Sequence, residues 1–206
     1  MYKILIATHN QGKLKRYINL FSDFSDLDIV SLQELNISLK IDEPFDNPKD
    51  NSIFKAKEYA KISLLPTIAI DEALTTNFLP EKEQPGVFVR RFNKDKRELS
   101  DSEVLDIWKK ITQLYPGENR QFIWDFRLTY YNPQNNILKT VKAIQKDYLT
   151  DIFSDKINPG YPMSSFLVPN EYKKPYVEID SGELLKIDKR NLKSFRVLLK
   201  NIYKSN

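Results

Sequence analysis

The stretch from Gln121 to Ile144 constrains this chain most. Phe122, Trp124, Phe126, Leu128 and Tyr130 alternate with Gln121, Asp125, Arg127 and Thr129, the two-residue period of a strand that buries one face. Asn132-Pro133-Gln134-Asn135-Asn136 follows as turn chemistry, and Ile137 to Ile144 supplies an antiparallel partner. A hairpin of this kind cannot belong to a purely parallel sheet. Any parallel βα unit elsewhere in the chain must join it in a mixed one.

Such a unit opens the chain. Tyr2 to Ala7 reads as a buried strand, Thr8, His9, Asn10, Gln11 and Gly12 break the pattern, and Lys13 opens a helix with Leu14, Tyr17, Ile18 and Phe21 on one face. Free backbone N–H groups and the positive end of the helix dipole converge at this junction, where Lys13 adds a full charge. Phosphate is the expected ligand, and an ordinary βα connection is the plainer alternative. The loop is not a Walker A motif, because Ala7 stands where its first glycine should be and Leu14 where Ser or Thr should follow the lysine.

The rest alternates in the same way. Leu27 to Leu32 reads as a strand, Gln33 to Asn51 as a polar loop carrying Asp42, Glu43, Asp46 and Asp50, and Ser52 to Ile62 as a helix. Leu65 to Ile70 is a strand that runs into Asp71 and Glu72, placing two acids at a strand's carboxyl end, where α/β sheets bind ligands. Thr75 to Lys96 is irregular and holds Pro85-Gly86 and the basic run Arg90, Arg91, Lys94 and Lys96, which continues into Arg97. Ser100 or Asp101 caps a helix with Val104, Ile107, Trp108 and Ile111 on its apolar face. Prolines break Asp151 to Pro175, and Asn191 to Ile202 closes the chain as a helix. With no repeat and no long linker, a single α/β domain over residues 1–206 is expected.

Composition narrows the function classes. A chain of 206 residues, 41% hydrophobic, can bury one sizeable core. Its net charge of +4 suits a small polyanion and is too weak to argue for nucleic acid. No cysteine means no disulfide and no thiolate nucleophile, and zinc would lack its best ligand. No signal-peptide pattern and no apolar run of membrane length are present, so a cytoplasmic protein without a membrane partner is expected. The lone His9 has no partner at metal-ligand spacing, and no GxSxG elbow occurs.

The chemistry must come from charged groups. Lys13, Lys55, Arg91 and Arg196 are candidates for holding phosphate, although each alone is more often a solvated surface charge. Hydrolysis of a phosphoanhydride needs a divalent metal and a carboxylate to orient or deprotonate water. Asp42-Glu43 and Asp71-Glu72 together could supply both; helix capping or simple exposure is the plainer reading of each pair.

In order, these pieces resemble the inosine/xanthosine triphosphate pyrophosphatase family. ILIATHNQGKLKR resembles its phosphate-binding start, (A)TxNxGKxxE, and Asp50 to Ala56 its ENAxxKA helix. LPTIAIDEAL, Leu65 to Leu74, resembles its strand into DDSGL; PGVFVRRF, Pro85 to Phe92, its PGVYSARY; and Arg190 to Arg196 its KxxxSHR. The resemblance implies that Thr8, Asn10 and Lys13 bind the triphosphate, with Lys55, Arg91 and Arg196 contacting phosphate or positioning substrate. It implies Glu43, with Asp42 and Asp71, as metal ligands, and Asp71 and Glu72 as the catalytic acids, Glu72 being the proton acceptor. The implied reaction is Mg²⁺-dependent attack of water that turns a nucleoside triphosphate into a monophosphate and pyrophosphate. The implied fold is an elongated mixed sheet flanked by helices, with two lobes around a central cleft, in a homodimer.

The departures are specific. Arg16 stands where the family has Glu, Ala73-Leu74 replaces Ser-Gly, and Glu72 replaces Asp. The GxGYDP stretch appears as Pro159 to Phe166 without its acid, and Phe195 replaces the histidine of SHR. The phosphate and metal side is therefore partly kept and the base-reading side largely rewritten. A catalytically impaired module that binds a nucleotide or a protein is the alternative, and an unrelated βα nucleotide-binding protein the third.

Overall fold

The computed structural model describes residues 1–91 and 97–203. Phe92, Lys94 and Lys96 of the stretches read above lie outside the described residues. Six strands form one sheet in the order β2-β1-β3-β4-β5-β6, with β1 Tyr2–Ile6, β2 Leu27–Ser31, β3 Thr67–Thr76, β4 Gln121–Asn132, β5 Ile137–Leu149 and β6 Leu167–Pro169. β1 runs parallel to both β2 and β3, whereas β3, β4, β5 and β6 are joined antiparallel. The mixed α/β sheet expected from the hairpin is found.

Helices cover both faces. These are α1 Gln11–Phe21, α2 Pro48–Ser63, α3 Asp101–Leu114, α4 Ser181–Asn191 and α5 Lys193–Tyr203. One face carries the larger core, in which Ile4, Ile6, Ile68, Ile70, Phe122, Phe126 and Leu128 pack with Leu14, Tyr17, Trp108 and Phe195. The other face meets α2 through Leu5, Ala7, Ala69, Ala56 and Tyr59. Side chains of this size contribute about 1.5–3 kcal/mol each when fully buried, so the larger core carries most of the stability.

Local chemistry sets the boundaries. Ser100 caps α3 in a full capping box with Glu103. Asn47 caps α2 and Pro48 occupies its first turn, so this helix starts four residues before the Ser52 expected from its apolar spacing. The closing helix expected from Asn191 is α5, which starts at Lys193; a further helix, α4, capped by Asp180, precedes it where the many charges left no apolar face to read. β5 runs to Leu149, five residues past the expected end, because it pairs with β4 along its whole length.

The largest correction concerns β3. Asp71 and Glu72 do not follow the strand; they lie in its middle, since pairing with β4 continues to Thr76. β1 accompanies β3 only as far as Ile68, whose carbonyl accepts from the Ala7 N–H, and the next partner on that edge is Gly86, bridged to Leu74. The sheet therefore has a notch beside β3, past the end of β1, and the two acids stand in it. Strand alternation sends Glu72 to the α1 face with Ile70 and Leu74, and Asp71 to the α2 face with Ala69.

Candidate active site

The notch collects charge from four elements. From above comes the first turn of α1, where the Asn10 side chain accepts from the Lys13 N–H at 3.0 Å and its amide donates to the Gly160 carbonyl at 3.3 Å. Thr8 accepts from the Asn10 N–H at 3.2 Å. Thr8 and Asn10 thus shape the loop, leaving the first helical N–H groups of α1 without intrahelical acceptors. Gly12 is required by a close approach: a Cβ there would lie 2.7 Å from the Tyr161 ring.

Lys13 reaches down to Glu72, with Nζ 2.7 Å from Oε1. Burial works against the lysine charge, but Glu72, with Asp71 and Glu43 behind it, more than offsets this and holds the Lys13 pKa above its ordinary value. On the other face, Lys55 of α2 donates to Glu43 at 2.7 Å, to the Ile70 carbonyl at 3.0 Å and to Asp71 at 3.1 Å. Burial raises the Asp71 pKa despite Lys55, whereas Lys55, Lys13 and Arg91 overcome the burial of Glu43 and lower its pKa. Asp71 is only 5% exposed, and its Oδ2 is buried without a hydrogen-bond partner among the described residues.

Lys13, Glu43, Lys55, Asp71, Glu72 and Arg91 are therefore brought within electrostatic reach of one another. Asp42 points to solvent and Arg196 lies elsewhere. Arg196 is at the far end of α1, where it binds the Leu20 carbonyl, forms two hydrogen bonds to Asp23 at 2.8 and 2.7 Å, and stacks on Phe24. α1 has 11 residues, so a helix of that length separates Arg196 from Lys13 by about 15 Å.

Beside the notch stands Arg16, whose position the sequence marked but whose partners it did not. Arg16 lies over the Phe126 ring, the strand neighbour of Glu72, and donates to Asp188 of α4 at 2.6 and 3.0 Å and to Gln145 at 3.2 Å. Gln145 continues to Asp147 and Tyr176 at 2.8 and 3.0 Å. The replacement of an acid by Arg16 is thus answered by an acid 172 positions away in sequence, a compensation with no local signal.

A divalent ion can be tested against these donors. Among the described residues no three His, Asp or Glu side chains are grouped to hold a metal by themselves. A Mg²⁺-like ion, however, takes one or two carboxylates and completes its shell with water and substrate phosphate. Glu43 and Asp71, each with an oxygen not bonded to Lys55 and the Asp71 one wholly unpartnered, fit that mode.

Comparison with known proteins follows the same lines. A model of the Ham1 family matches residues 4–200. The dITP/XTP pyrophosphatase of Protochlamydia amoebophila (strain UWE25) is 29% identical over 91% of this chain and 92% of its own length. That of Vibrio parahaemolyticus is 37% identical, but the match spans only 52% of this chain and 50% of the relative. A HAM1 protein from Coxiella burnetii superimposes with a TM-score of 0.75 at 20% identity, covering 98% of this chain and 100% of that one. The nucleoside-triphosphatase / dITP/XTP pyrophosphatase of Mycobacterium abscessus gives 0.67 at 22% identity over 96% and 98%. These two structures share the fold.

Proposed function

The chain belongs to the Ham1 family, and on that premise we propose that it hydrolyses purine nucleoside triphosphates to the monophosphate and pyrophosphate. The observation that carries this reading is the Lys13–Glu72 pair facing the Lys55–Glu43–Asp71 cluster across the β3 notch. Similarity to curated dITP/XTP pyrophosphatases supports the choice of substrate class.

The triphosphate lies at the first turn of α1, where N–H groups and Lys13 meet its negative charge. As Lys13 turns to phosphate, Glu72 loses its ion-pair partner and is free to accept the proton of the attacking water. That water adds to the α-phosphorus and the α–β anhydride bond breaks, leaving the monophosphate and pyrophosphate. Glu43 and Asp71 would hold Mg²⁺, which when bound neutralises phosphate charge and polarises the bond under attack. Thr8 and Asn10 keep the loop in shape, and Arg91 adds positive charge on the Glu43 side. Arg196 has no part in this reading beyond fixing α1.

A panel of dITP, XTP, ITP and ordinary triphosphates, assayed for pyrophosphate release with and without Mg²⁺, tests it. Turnover of the 6-oxopurine triphosphates ahead of ATP is expected. Nucleotide binding by calorimetry with no release from any of them would replace it with the non-catalytic binding module. The homodimer rests on the resemblance and is checked by light scattering; cell fractionation checks the cytoplasmic location expected from the sequence. No helix among the described residues is long and apolar enough to cross a membrane.

A further inference from the structure

The first turn of α1 is packed against a tight turn from far along the chain. Tyr161 donates its N–H to the Asn158 carbonyl at 2.9 Å, and Pro159 and Gly160 form the corner between them. Gly160 has φ +80°, the value that Pro-Gly turns ask of their glycine. Two contacts bind this turn to α1. The Gly160 carbonyl accepts from the Asn10 side-chain amide at 3.3 Å, and the Tyr161 ring lies against Gly12. Asn10 is thereby used at both ends, since its own side-chain oxygen accepts from the Lys13 N–H at 3.0 Å.

The turn has no acid of its own and is held from behind by one from α3. Asp101 accepts from the Gly160 N–H at 2.8 Å through Oδ2, and from the Arg90 guanidinium at 2.8 Å through Oδ1. The helix does not need this carboxylate as a cap, because Ser100 and Glu103 already form the capping box. Both Asp101 oxygens serve residues outside α3, one of them 59 positions away. The Asp101 and Arg90 side chains are each 28% exposed, and an ion pair that water reaches adds little stability. What the pair fixes is the direction of a carboxylate.

Gly160 thus ties α3 to the phosphate loop, its N–H on Asp101 and its C=O on Asn10. We propose that Asp101 is a positioning residue for that loop. By fixing Gly160 it fixes the Asn10 amide, and with it the direction of the free N–H groups in the first turn of α1. Without Asp101 the Gly160 carbonyl can turn away from Asn10, and the Asn10 amide can rotate off the Lys13 N–H. A triphosphate must then order the loop as it binds, which costs affinity and leaves the reacting atoms untouched.

This inference rests on the pyrophosphatase reading for its setting, but its main test needs no turnover. Inorganic tripolyphosphate, which has no base, is the probe, and calorimetry with Mg²⁺ present is the measurement. Asp101→Ala should weaken its binding about tenfold, the loss of one hydrogen-bonded link. An unchanged dissociation constant, or no binding to wild type, overturns the proposal. Asp101→Asn keeps an oxygen for the Gly160 N–H while losing the ion pair, so it should bind within about threefold of wild type. An Asn variant as weak as the Ala variant gives the role to the Arg90 pair and sinks the idea. Ser100→Ala loosens the same helix start without touching either Asp101 oxygen: Tm should fall and affinity hold. Affinity lost there as well would make the effect one of α3 stability. Should Asp101→Ala not fold, wild type itself carries the test. Coupling is reciprocal, so tripolyphosphate should slow hydrogen exchange of the Gly160 amide about tenfold, and an unchanged rate counts against the link. In turnover Asp101→Ala should raise KM about tenfold with kcat within about threefold; a fall in kcat at constant KM contradicts a positioning role. If tripolyphosphate shows the link while nothing on the substrate panel is turned over, the pyrophosphatase reading falls and this one stands.

Discussion

The two ends of α1 carry similar-looking charges put to different uses. At its N-terminal end Lys13 meets Glu72, its one ion-pair partner among the described residues, in the β3 notch. At its C-terminal end Arg196 meets Asp23 with two guanidinium nitrogens, a third contact to the Leu20 carbonyl and a ring beneath it. In the proposed reaction the first pair is traded for the triphosphate, for which Lys13 keeps N–H donors beyond the one facing Glu72. The second is held by three hydrogen bonds within the fold, at the end of α1 away from the notch.

Four experiments break or sharpen this contrast. The largest effect is expected from Glu72→Gln, which removes the proposed proton acceptor: kcat should fall about 10²–10⁴-fold, while triphosphate binding is kept because Lys13 is released. A full rate in single-turnover assays would give the base role to another group. Lys13→Ala comes next. Loss of one charge-assisted contact, worth about 1.5–3 kcal/mol, should weaken triphosphate binding about tenfold to a hundredfold by calorimetry, with little change in Tm. An unchanged dissociation constant would place the phosphates elsewhere.

Arg196→Ala should do the reverse. Its partly exposed pair and carbonyl contact are worth about 1–2 kcal/mol after solvent screening, so Tm should drop by a few degrees while the KM of the folded enzyme holds. A KM effect without a Tm effect would return Arg196 to the substrate. The smallest effect belongs to Asp23→Asn. Hydrogen bonds from Arg196 hold the Asp23 pKa well below the usual carboxylate range. A depressed folded-state pKa stabilises above the unfolded value of about 3.9, and that stability is lost as pH falls through the folded value. Asp23 is nearly half exposed, so the difference from wild type at pH 7 should stay below about 1 kcal/mol. It should shrink as the pH is taken below about 4 in thermal melts; a constant difference would assign the effect to packing.

Much of the scaffold was legible because it rests on local chemistry. The alternation of Phe122, Trp124, Phe126, Leu128 and Tyr130 set the long strand, and Ser100 or Asp101 marked a helix start, Ser100 proving to be the cap. The strand, loop and helix of residues 2–21 followed from the change of period at Thr8. α4 was missed, since seven of its 11 residues are charged or polar side chains and only Ile187 is buried. The site was legible in its inventory: Lys13, Glu43, Lys55, Asp71 and Glu72 were each named from the chain. Their pairing was not. Arg196 was drawn to the site by its motif, Asp42 by its neighbour, and neither is placed there.

By itself, then, the chain determined a mixed sheet, a strand–loop–helix start with free N–H groups and a lysine, and the set of charged groups within reach of it. Those depend on period, capping and residue type, which act over a few positions. Only the tertiary structure decided that β3 runs on past its acids, because that length is set by pairing with β4. It alone set Glu72 against Lys13 and Asp71 against Lys55, since neighbouring residues in a strand face opposite sides of the sheet. And it alone brought Asp188 to Arg16, for electrostatic compensation acts through space and leaves no trace in spacing.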